Sequence, residues 1–316
     1  MIDDDFVPIS AADFVSGSKS AFDVFVKLAP EKYLKLLEMG DQFCKERIES
    51  YLTKGVKHFY IKKEAQEIYL RYQQKLALAM LASPTISLEL KVTQAMAAGE
   101  EVANFMKKQG VTAENMHYAS TFVSGVNELV KKIATAKSED ALSGFLSNLG
   151  AYDHGVGTSM MAGVLSHVLE IRMERPTQIV GLACLFHDIG LYQLPENLWH
   201  EDESKMSADE KVLYRTHPKK SVEMLSKIIQ FEPAALQAIE QHHRRLNGLG
   251  FSDTESGQLT KVAEIVGICQ EFQIVTKKLD NDPSFPMLTY LESQVFPGFS
   301  RQIVYAFRTS FFPKKT

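Results

Sequence analysis

Residues 184–190 read Cys-Leu-Phe-His-Asp-Ile-Gly, and the interpretation of the whole chain depends on this stretch. The residues from Ile179 to Leu185 are almost all apolar, so His187 and Asp188 are predicted to lie at the end of a buried helix. Such polar side chains are costly to bury unless they are paired or bind a metal. An adjacent His and Asp can also form an ordinary hydrogen-bonded core pair, so the pair alone does not predict a metal site.

Four further histidines, each at the edge of an apolar segment, favour a metal site over a hydrogen-bonded core pair. They are His154, His217, His242 and His243, which with His187 and Asp188 make five imidazoles and one carboxylate within 90 positions. Each alone can be a helix-terminal polar residue, and a charged imidazole at a helix C-terminus suits the helix dipole. Together they predict a shared site, because facing helices of a bundle can direct side chains inward to one ion. Imidazole and carboxylate ligands suit iron, manganese or zinc, and the scarcity of nearby thiols disfavours a structural zinc site.

The order of predicted elements indicates a mainly α protein. Alternating or β-branched residues predict strands at 22–28 and 58–61. Pro30 suits a first helical turn, so a helix is predicted from there to about Gly40, and a second helix follows over 41–51. Beyond residue 63 every predicted element is a helix.

Two domains are expected from 316 residues. Residues 1–137 are assigned to an N-terminal regulatory or partner-binding module, α+β to about residue 82 and a helical connector beyond it. Residues 138–316 are assigned to an all-helical, metal-binding bundle, with helices predicted over 142–149 and 154–174 among others.

The composition excludes several classes of partner. A net charge of −4 and a pI near 6.2 give no global reason to expect a nucleic acid or an anionic membrane. The start carries aspartates where a signal peptide needs positive charge, and the longest apolar stretch, 76–82, is too short to cross a membrane. Three scattered cysteines in apolar surroundings are typical of reduced core residues, so a cytoplasmic protein is expected.

Over roughly residues 144–278 the chain resembles the HD superfamily of metal-dependent phosphohydrolases, and more narrowly its HD-GYP branch. His154 matches the family's first histidine, and His187 with Asp188 matches the pair that names it. His217 with Pro218 matches the following His-Pro, and His242 with His243 matches the paired histidines. The successive separations of 33, 30 and 25 residues are close to those of the branch, and residues 242–251 resemble its signature loop.

The chain also departs from the branch. Phe251 and Ser252 stand where the motif has tyrosine and proline, and Leu191 stands where a lysine follows the HD pair. Gln270 aligns with the last metal-binding aspartate. A glutamate that helps some members hold a third metal falls at Gly150. These differences predict a retained metal site with altered substrate-binding groups.

The resemblance implies a cyclic di-GMP phosphodiesterase with two divalent metal ions, iron first and manganese or zinc next. It implies that Asp188 bridges the metals as the catalytic carboxylate, and that Gln270 donates a neutral oxygen. The remaining ligands would be His154 and His187 on one metal, and His217, His242 and His243 on the other. Arg245 is the candidate for holding a substrate phosphate, with a solvated loop arginine as the alternative.

Three functions stay open at this point. The first is a slow or catalytically impaired phosphodiesterase, because Leu191 removes a cation and Phe251 a hydroxyl. The second is a metal-containing cyclic-dinucleotide sensor without turnover, which would signal to a protein partner through residues 1–137. The third is a metal-free interaction domain of the kind found in the related HDOD modules.

Overall fold

The computed structural model describes two compact units, Met1–Ala79 and Met80–Thr316. The described residues are 5–10, 19–29, 32–42, 44–56, 58–136, 146, 149, 153–171, 173–199, 203–229, 231–251 and 258–312. The predicted fold class is confirmed, because a small antiparallel sheet is followed by a helical domain. The predicted domain boundary at 137 and 138 lies outside the described residues, as do most of the helix predicted over 142–149 and Gly150.

The first unit is built on a four-stranded antiparallel sheet in the order β1-β4-β2-β3. Its core joins both halves of the sheet, with Ile9, Val24 and Phe59 almost fully buried against Tyr69. Its elements are β1 (Phe6–Ser10), β2 (Val24–Ala29), β3 (Lys32–Leu37), α1 (Lys45–Leu52), β4 (His58–Lys62) and the first part of α2 (Gln66–Ala82).

The helix predicted from Pro30 to Gly40 is wrong, because residues 32–37 form β3. β3 pairs with β2 from Val24 opposite Leu37 to Ala29 opposite Lys32. Tyr33 also stacks on Phe6 of β1, with ring centroids 3.9 Å apart. The hairpin pairing with β2 and the contact with Phe6 stabilise the strand, and they outweigh a local pattern that is too short to specify a helix.

The second unit is helical. After α2, its helices are α3 (Leu88–Gln109), α4 (Met116–Ala136), α5 (His154–Val168), α6 (Glu174–Phe186), α7 (Ala208–Tyr214), α8 (His217–Leu225), α9 (Pro233–Gln241), α10 (Lys261–Asn281), α11 (Met287–Tyr290) and α12 (Arg301–Phe311). The helix predicted over 154–174 is shorter than expected and ends at Val168, shortly before Glu170 adopts a positive φ of 60°. Among the described residues, no helix is both long and apolar enough to cross a membrane.

The centre of this unit is α5, which is buried from Gly155 to Ser166. Gly155 explains how α5 approaches α6 so closely. A Cβ atom at this position would lie 2.3 Å from the backbone oxygen of Leu185, so only glycine fits the contact. This approach brings the first residue of α5, His154, next to the end of α6, where the HD pair lies.

Candidate metal centre

The predicted donors lie at four helix ends that meet in the second unit. His154 is the first residue of α5 and His217 the first residue of α8, whereas His187 and His242 follow directly after α6 and α9. His187, His217 and His242 are fully buried. Six side chains form the group called the donor cluster below: His154, His187, Asp188, His217, His242 and His243.

Three histidines of the donor cluster have their rings oriented by the backbone of their own helix or turn. The Nδ1 atoms of His187, His217 and His242 donate to the carbonyl oxygens three residues earlier, at 2.7, 2.8 and 2.5 Å. A neutral imidazole carries one proton, so each Nε2 atom is left with a lone pair. The fold therefore presents three unprotonated nitrogens to a common point, which is the tautomer that a metal ligand requires.

His154 reaches the same state through a side chain. The amide nitrogen of Gln273 donates to the carbonyl oxygens of Asp153 at 3.2 Å and Leu149 at 3.4 Å, which fixes the orientation of the amide group. Its Oε1 atom then accepts a hydrogen bond from Nδ1 of His154. Gln273 was not predicted from the sequence, since no motif marks a glutamine that supports a histidine 119 residues away.

Asp188 lies between two groups of histidines. Its Oδ1 atom is 3.1 Å from Nε2 of His217 and 3.4 Å from Nε2 of His242. Its Oδ2 atom is 3.4 Å from Nε2 of His187 and 3.7 Å from Nε2 of His154. One carboxylate thus faces His154 and His187 with one oxygen, and His217 and His242 with the other.

The electrostatics favour neutral His154 and His242 beside a charged carboxylate. Burial together with neighbouring charge lowers the pKa of His154 to about 4, and burial chiefly lowers that of His242 to about 3. Burial alone would raise the pKa of Asp188, but the surrounding imidazoles, His187 first, hold it well below its ordinary value. Neutral imidazoles and an ionised carboxylate are the states in which these groups bind metals.

Unsatisfied buried atoms test whether this chemistry fits a metal. Within the described part of the chain, Nε2 of His187, Nε2 of His243 and Oε1 of Gln270 have no hydrogen-bond partner. Nε2 of His217 and Nε2 of His242 are only 3.2 Å apart. Two ligands about 2.1 Å from one ion are separated by about 3.0 to 3.4 Å. A cation explains both the spacing and the unpaired imidazole nitrogens, whereas neutral histidines without a cation would leave lone pairs facing each other.

The comparison with protein families agrees with this geometry, because a model of the HD domain matches residues 128–284. The chain belongs to the HD-domain family. That resemblance, predicted from the sequence, is confirmed. An HD domain implies binding of divalent metal, and the donor cluster fits that role.

A solved structure shares the fold of this HD protein. Bd1817, an HDG"Y"P protein from Bdellovibrio bacteriovorus, is 21% identical over 96% of this chain and 98% of its own, with a TM-score of 0.67. At this identity the likeness shows an HD-GYP-like fold. No curated protein matches the chain by sequence.

The turn that carries the HD pair is tied to α8 by Ser221. The Oγ atom of Ser221 donates to the carbonyl oxygen of His187 at 2.8 Å and accepts from the backbone N–H of Gly190 at 2.8 Å. A Cβ atom on Gly190 would lie 2.3 Å from the backbone oxygen of His217. Gly190 and Ser221 therefore fix the separation between His187 and His217. Ser221 was missed in the sequence, although it lies one helical turn after His217.

Arg245 follows the paired histidines in the chain, and its side chain is buried against α10 and the backbone of His242. Its guanidinium group donates to the backbone oxygen of His242 at 2.7 Å and pairs with the carboxylate of Glu271. It also lies 4.8 Å from the ring centroid of Phe299, and only 9% of its side chain is exposed. These contacts are structural, and the substrate contact expected from the sequence stays a prediction.

Three described positions that depart from the family motif, Phe251, Leu191 and Gln270, are buried. Phe251 stacks on His243 with ring centroids 4.1 Å apart, and the guanidinium group of Arg215 lies 5.2 Å from its ring. Leu191 joins an apolar cluster with Leu194. Gln270 is buried on α10, and its metal-binding role stays a prediction. Ser252 lies outside the described residues.

A cavity of about 580 Å³ opens beside Asp188 and His154. Aromatic walls are provided by Tyr192, Trp199 and Tyr214. Two lysines also line it, Lys107 from α3 and Lys277 from α10, and neither was predicted as a site residue. The helix that the sequence assigned to a connector therefore contributes to the wall of this cavity.

Proposed function

We propose that this HD protein is a metal-dependent phosphodiesterase that cleaves a cyclic dinucleotide of the cyclic di-GMP class, with slow turnover. The observation that carries the proposal is Asp188, whose two oxygens face two separate groups of histidine nitrogens. A carboxylate in that position can bridge two cations. The adjoining cavity, with three aromatic walls, supports a ligand that carries planar bases.

We propose two divalent ions, with iron first and manganese or zinc next. His154 and His187 would hold one ion, with Gln270 as a neutral donor. His217, His242 and His243 would hold the other, and Asp188 would bridge. Divalent ions in such a site supply Lewis-acid stabilisation of the phosphoryl oxygens and lower the pKa of water enough for attack near neutral pH.

The side chains of the chain itself perform the remaining tasks. Gln273 holds Nδ1 of His154, and carbonyl oxygens in the last turns of α6 and α9 hold those of His187 and His242, so no donor has to reorient during the reaction. Burial of His187, His217 and His242 excludes water from these three donors, which strengthens the charge interactions beside the reacting phosphate.

Slow turnover follows from the substituted positions. Leu191 has no charge to offer a phosphate, and loss of one such electrostatic contact costs on the order of 10² to 10³ in rate. Phe251 keeps the ring that packs on His243 but has no hydroxyl group. Gln270 removes one negative charge from the donor set, which lowers the affinity for a second cation.

The deciding experiment uses full-length protein purified without oxygen and loaded with Fe(II) or Mn(II). We expect slow conversion of cyclic di-GMP to its linear product in a chromatographic assay, and loss of that activity in Asp188→Ala. Asp209→Ala is the matched control, since Asp209 is exposed in the first turn of α7. An intact substrate after prolonged incubation, with both metals bound, would contradict turnover.

A second function, cyclic-dinucleotide sensing without turnover, is favoured by Phe251. Its ring packs on His243 and Arg215 and so can hold the loop in place. It offers no hydroxyl group for catalysis. Calorimetry separates this candidate from the first, because a sensor binds cyclic di-GMP and leaves it intact. A chain that binds neither metal nor nucleotide would favour the metal-free interaction domain.

The assignment of residues 1–137 to regulation or partner binding, and the cytoplasmic location, remain parts of the proposal. Neither a nucleic acid nor a membrane is proposed as a partner. The partner-binding role can be tested by deleting residues 1–62 and measuring metal content and nucleotide affinity. We expect both to be unchanged if this part acts on a partner.

A further inference from the structure

The cavity beside Asp188 is lined by two lysines that have no assigned role, Lys107 and Lys277. We propose that Lys277, supported by Lys107, forms an anion subsite that holds one phosphate group next to the donor cluster. The identity of the ligand as a cyclic dinucleotide rests on the proposed function, but the existence of the subsite does not.

Lys277 is placed for this role by the spacing of α10. Gln270, Gln273 and Lys277 follow one another at intervals of three and four residues, so they share one face of the helix. Gln273 of this face holds His154, and Lys277 lines the cavity one turn further on. The subsite is therefore next to the end of α5 that carries His154.

Lys277 is a half-buried cation without a direct partner. Among the described residues it forms no hydrogen bond or ion pair, although Asp153 and Glu100 act on it at longer range. Burial lowers the pKa of Lys277, against the opposing effect of these two carboxylates. A phosphate bound in the cavity would offset the cost of this desolvation by direct charge-assisted hydrogen bonds.

The carboxylates around the cavity are already engaged, so they do not fill the subsite. Asp153 forms an ion pair with Lys107 and also accepts hydrogen bonds from the backbone at the start of α5. Glu100 accepts the backbone N–H of Asp153, and burial raises the pKa of Glu100. Asp188 faces the histidines. Lys277 is left as the cation available to a ligand.

Lys107 of α3 lines the same cavity as Lys277. Its ammonium group pairs with Asp153 and lies 5.5 Å from the ring centroid of Tyr192. Because Asp153 caps the helix that begins at His154, Lys107 stabilises both the cavity wall and the start of α5. A ligand phosphate would thus meet one unpaired ammonium group and one that is held in place.

Titration of the metal-loaded full chain with inorganic phosphate tests the subsite. The variant is Lys277→Met, which keeps the aliphatic stem and removes the charge. We expect its dissociation constant for phosphate to rise about 10-fold or more, as loss of a charge-assisted hydrogen bond implies. Lys277→Arg should restore most of the affinity, and metal content should be unchanged in both variants.

Lys278→Met is the matched control, since its ammonium group lies 5.3 Å from the ring centroid of Tyr290 on the neighbouring helix. It removes the same charge one residue away and should leave phosphate affinity within about 2-fold. Equal affinity in Lys277→Met and in the wild type would overturn the subsite, as would equal weakening in both methionine variants. Failure to bind or cleave cyclic di-GMP, with a Lys277-dependent phosphate affinity retained, would refute the proposed function and leave the subsite standing.

Discussion

The Nε2 atoms of His217 and His242 lie 3.2 Å apart, and each ring already donates its Nδ1 proton to a backbone oxygen. Two unprotonated nitrogens at this distance repel each other unless a cation lies between them. Removal of metal should therefore destabilise the fold. At a free metal concentration of 100 to 1,000 times Kd, the bound ion contributes about 3 to 4 kcal/mol. We expect calorimetry to show a clear fall in Tm after chelation, reversed by Fe(II) or Mn(II).

The same measurement on two histidine variants tests the origin of this effect. In His242→Ala the difference in Tm between metal-loaded and chelated protein should shrink sharply. In His117→Ala it should not, because His117 is exposed on α4. An unchanged Tm on chelation of wild-type protein that contained metal would contradict a cation in the cluster.

Gln273 should control metal affinity without being a ligand. Gln273→Leu removes the acceptor for Nδ1 of His154 and leaves the ring free to rotate or change tautomer. Loss of such a supporting contact typically weakens metal binding by about 10- to 100-fold. Competition with a chromogenic chelator measures this change. Gln178→Leu is the control, since it also removes a hydrogen-bonded amide, the one that donates to Ser124, but at a position on α6 nine residues before His187. Equal losses of metal affinity in both variants would argue against a positioning role for Gln273.

Gly190 should tolerate no side chain. In Gly190→Ala the new Cβ atom would lie 2.3 Å from the backbone oxygen of His217 and 2.5 Å from the backbone nitrogen of Ser221. The HD turn and α8 would have to separate, so we expect a lower Tm and fewer metal ions per chain. Gly125→Ala is the control, because its Cβ atom would meet only a flexible leucine carbon at 3.5 Å. Normal metal content in Gly190→Ala would show that the turn can adjust.

Arg245 should contribute to stability through its buried contacts. Arg245→Ala leaves Glu271 without its ion-pair partner and the backbone oxygen of His242 without its donor. We expect a loss of about 2 to 4 kcal/mol in the free energy of unfolding. Arg308→Ala breaks a half-exposed pair with Glu292 and should cost less than about 1 kcal/mol. Denaturant unfolding compares the two, and similar losses would mean that Arg245 faces solvent in solution.

Much of the candidate site follows from the sequence because its donors mark the ends of apolar segments. The apolar run before His187 requires a buried helix, and polar groups at its end require a partner. His217 before Pro218, and His242 after an amphipathic segment, indicate helix ends in the same way. The mainly helical fold class follows from the same periodicity. Local sequence is sufficient here, since each signal spans only one or two helical turns.

Contacts between distant residues could not be obtained in this way. Gln273 supports a histidine 119 positions earlier, Ser221 joins the HD turn to another helix, and Lys107 meets Asp153 from a third. Phe6 likewise stacks on Tyr33, 27 positions later, and supports the strand that residues 32–37 form with β2.

The sequence by itself determined the identity and order of the candidate metal donors and predicted the helices that carry them. Only the tertiary structure decided which atoms face one another, namely the two oxygens of Asp188, the Nε2 lone pairs, and Lys277 beside the cavity. The physical reason is that helix ends and burial are set by neighbouring residues, whereas the approach of two helices depends on the packing of all the side chains between them.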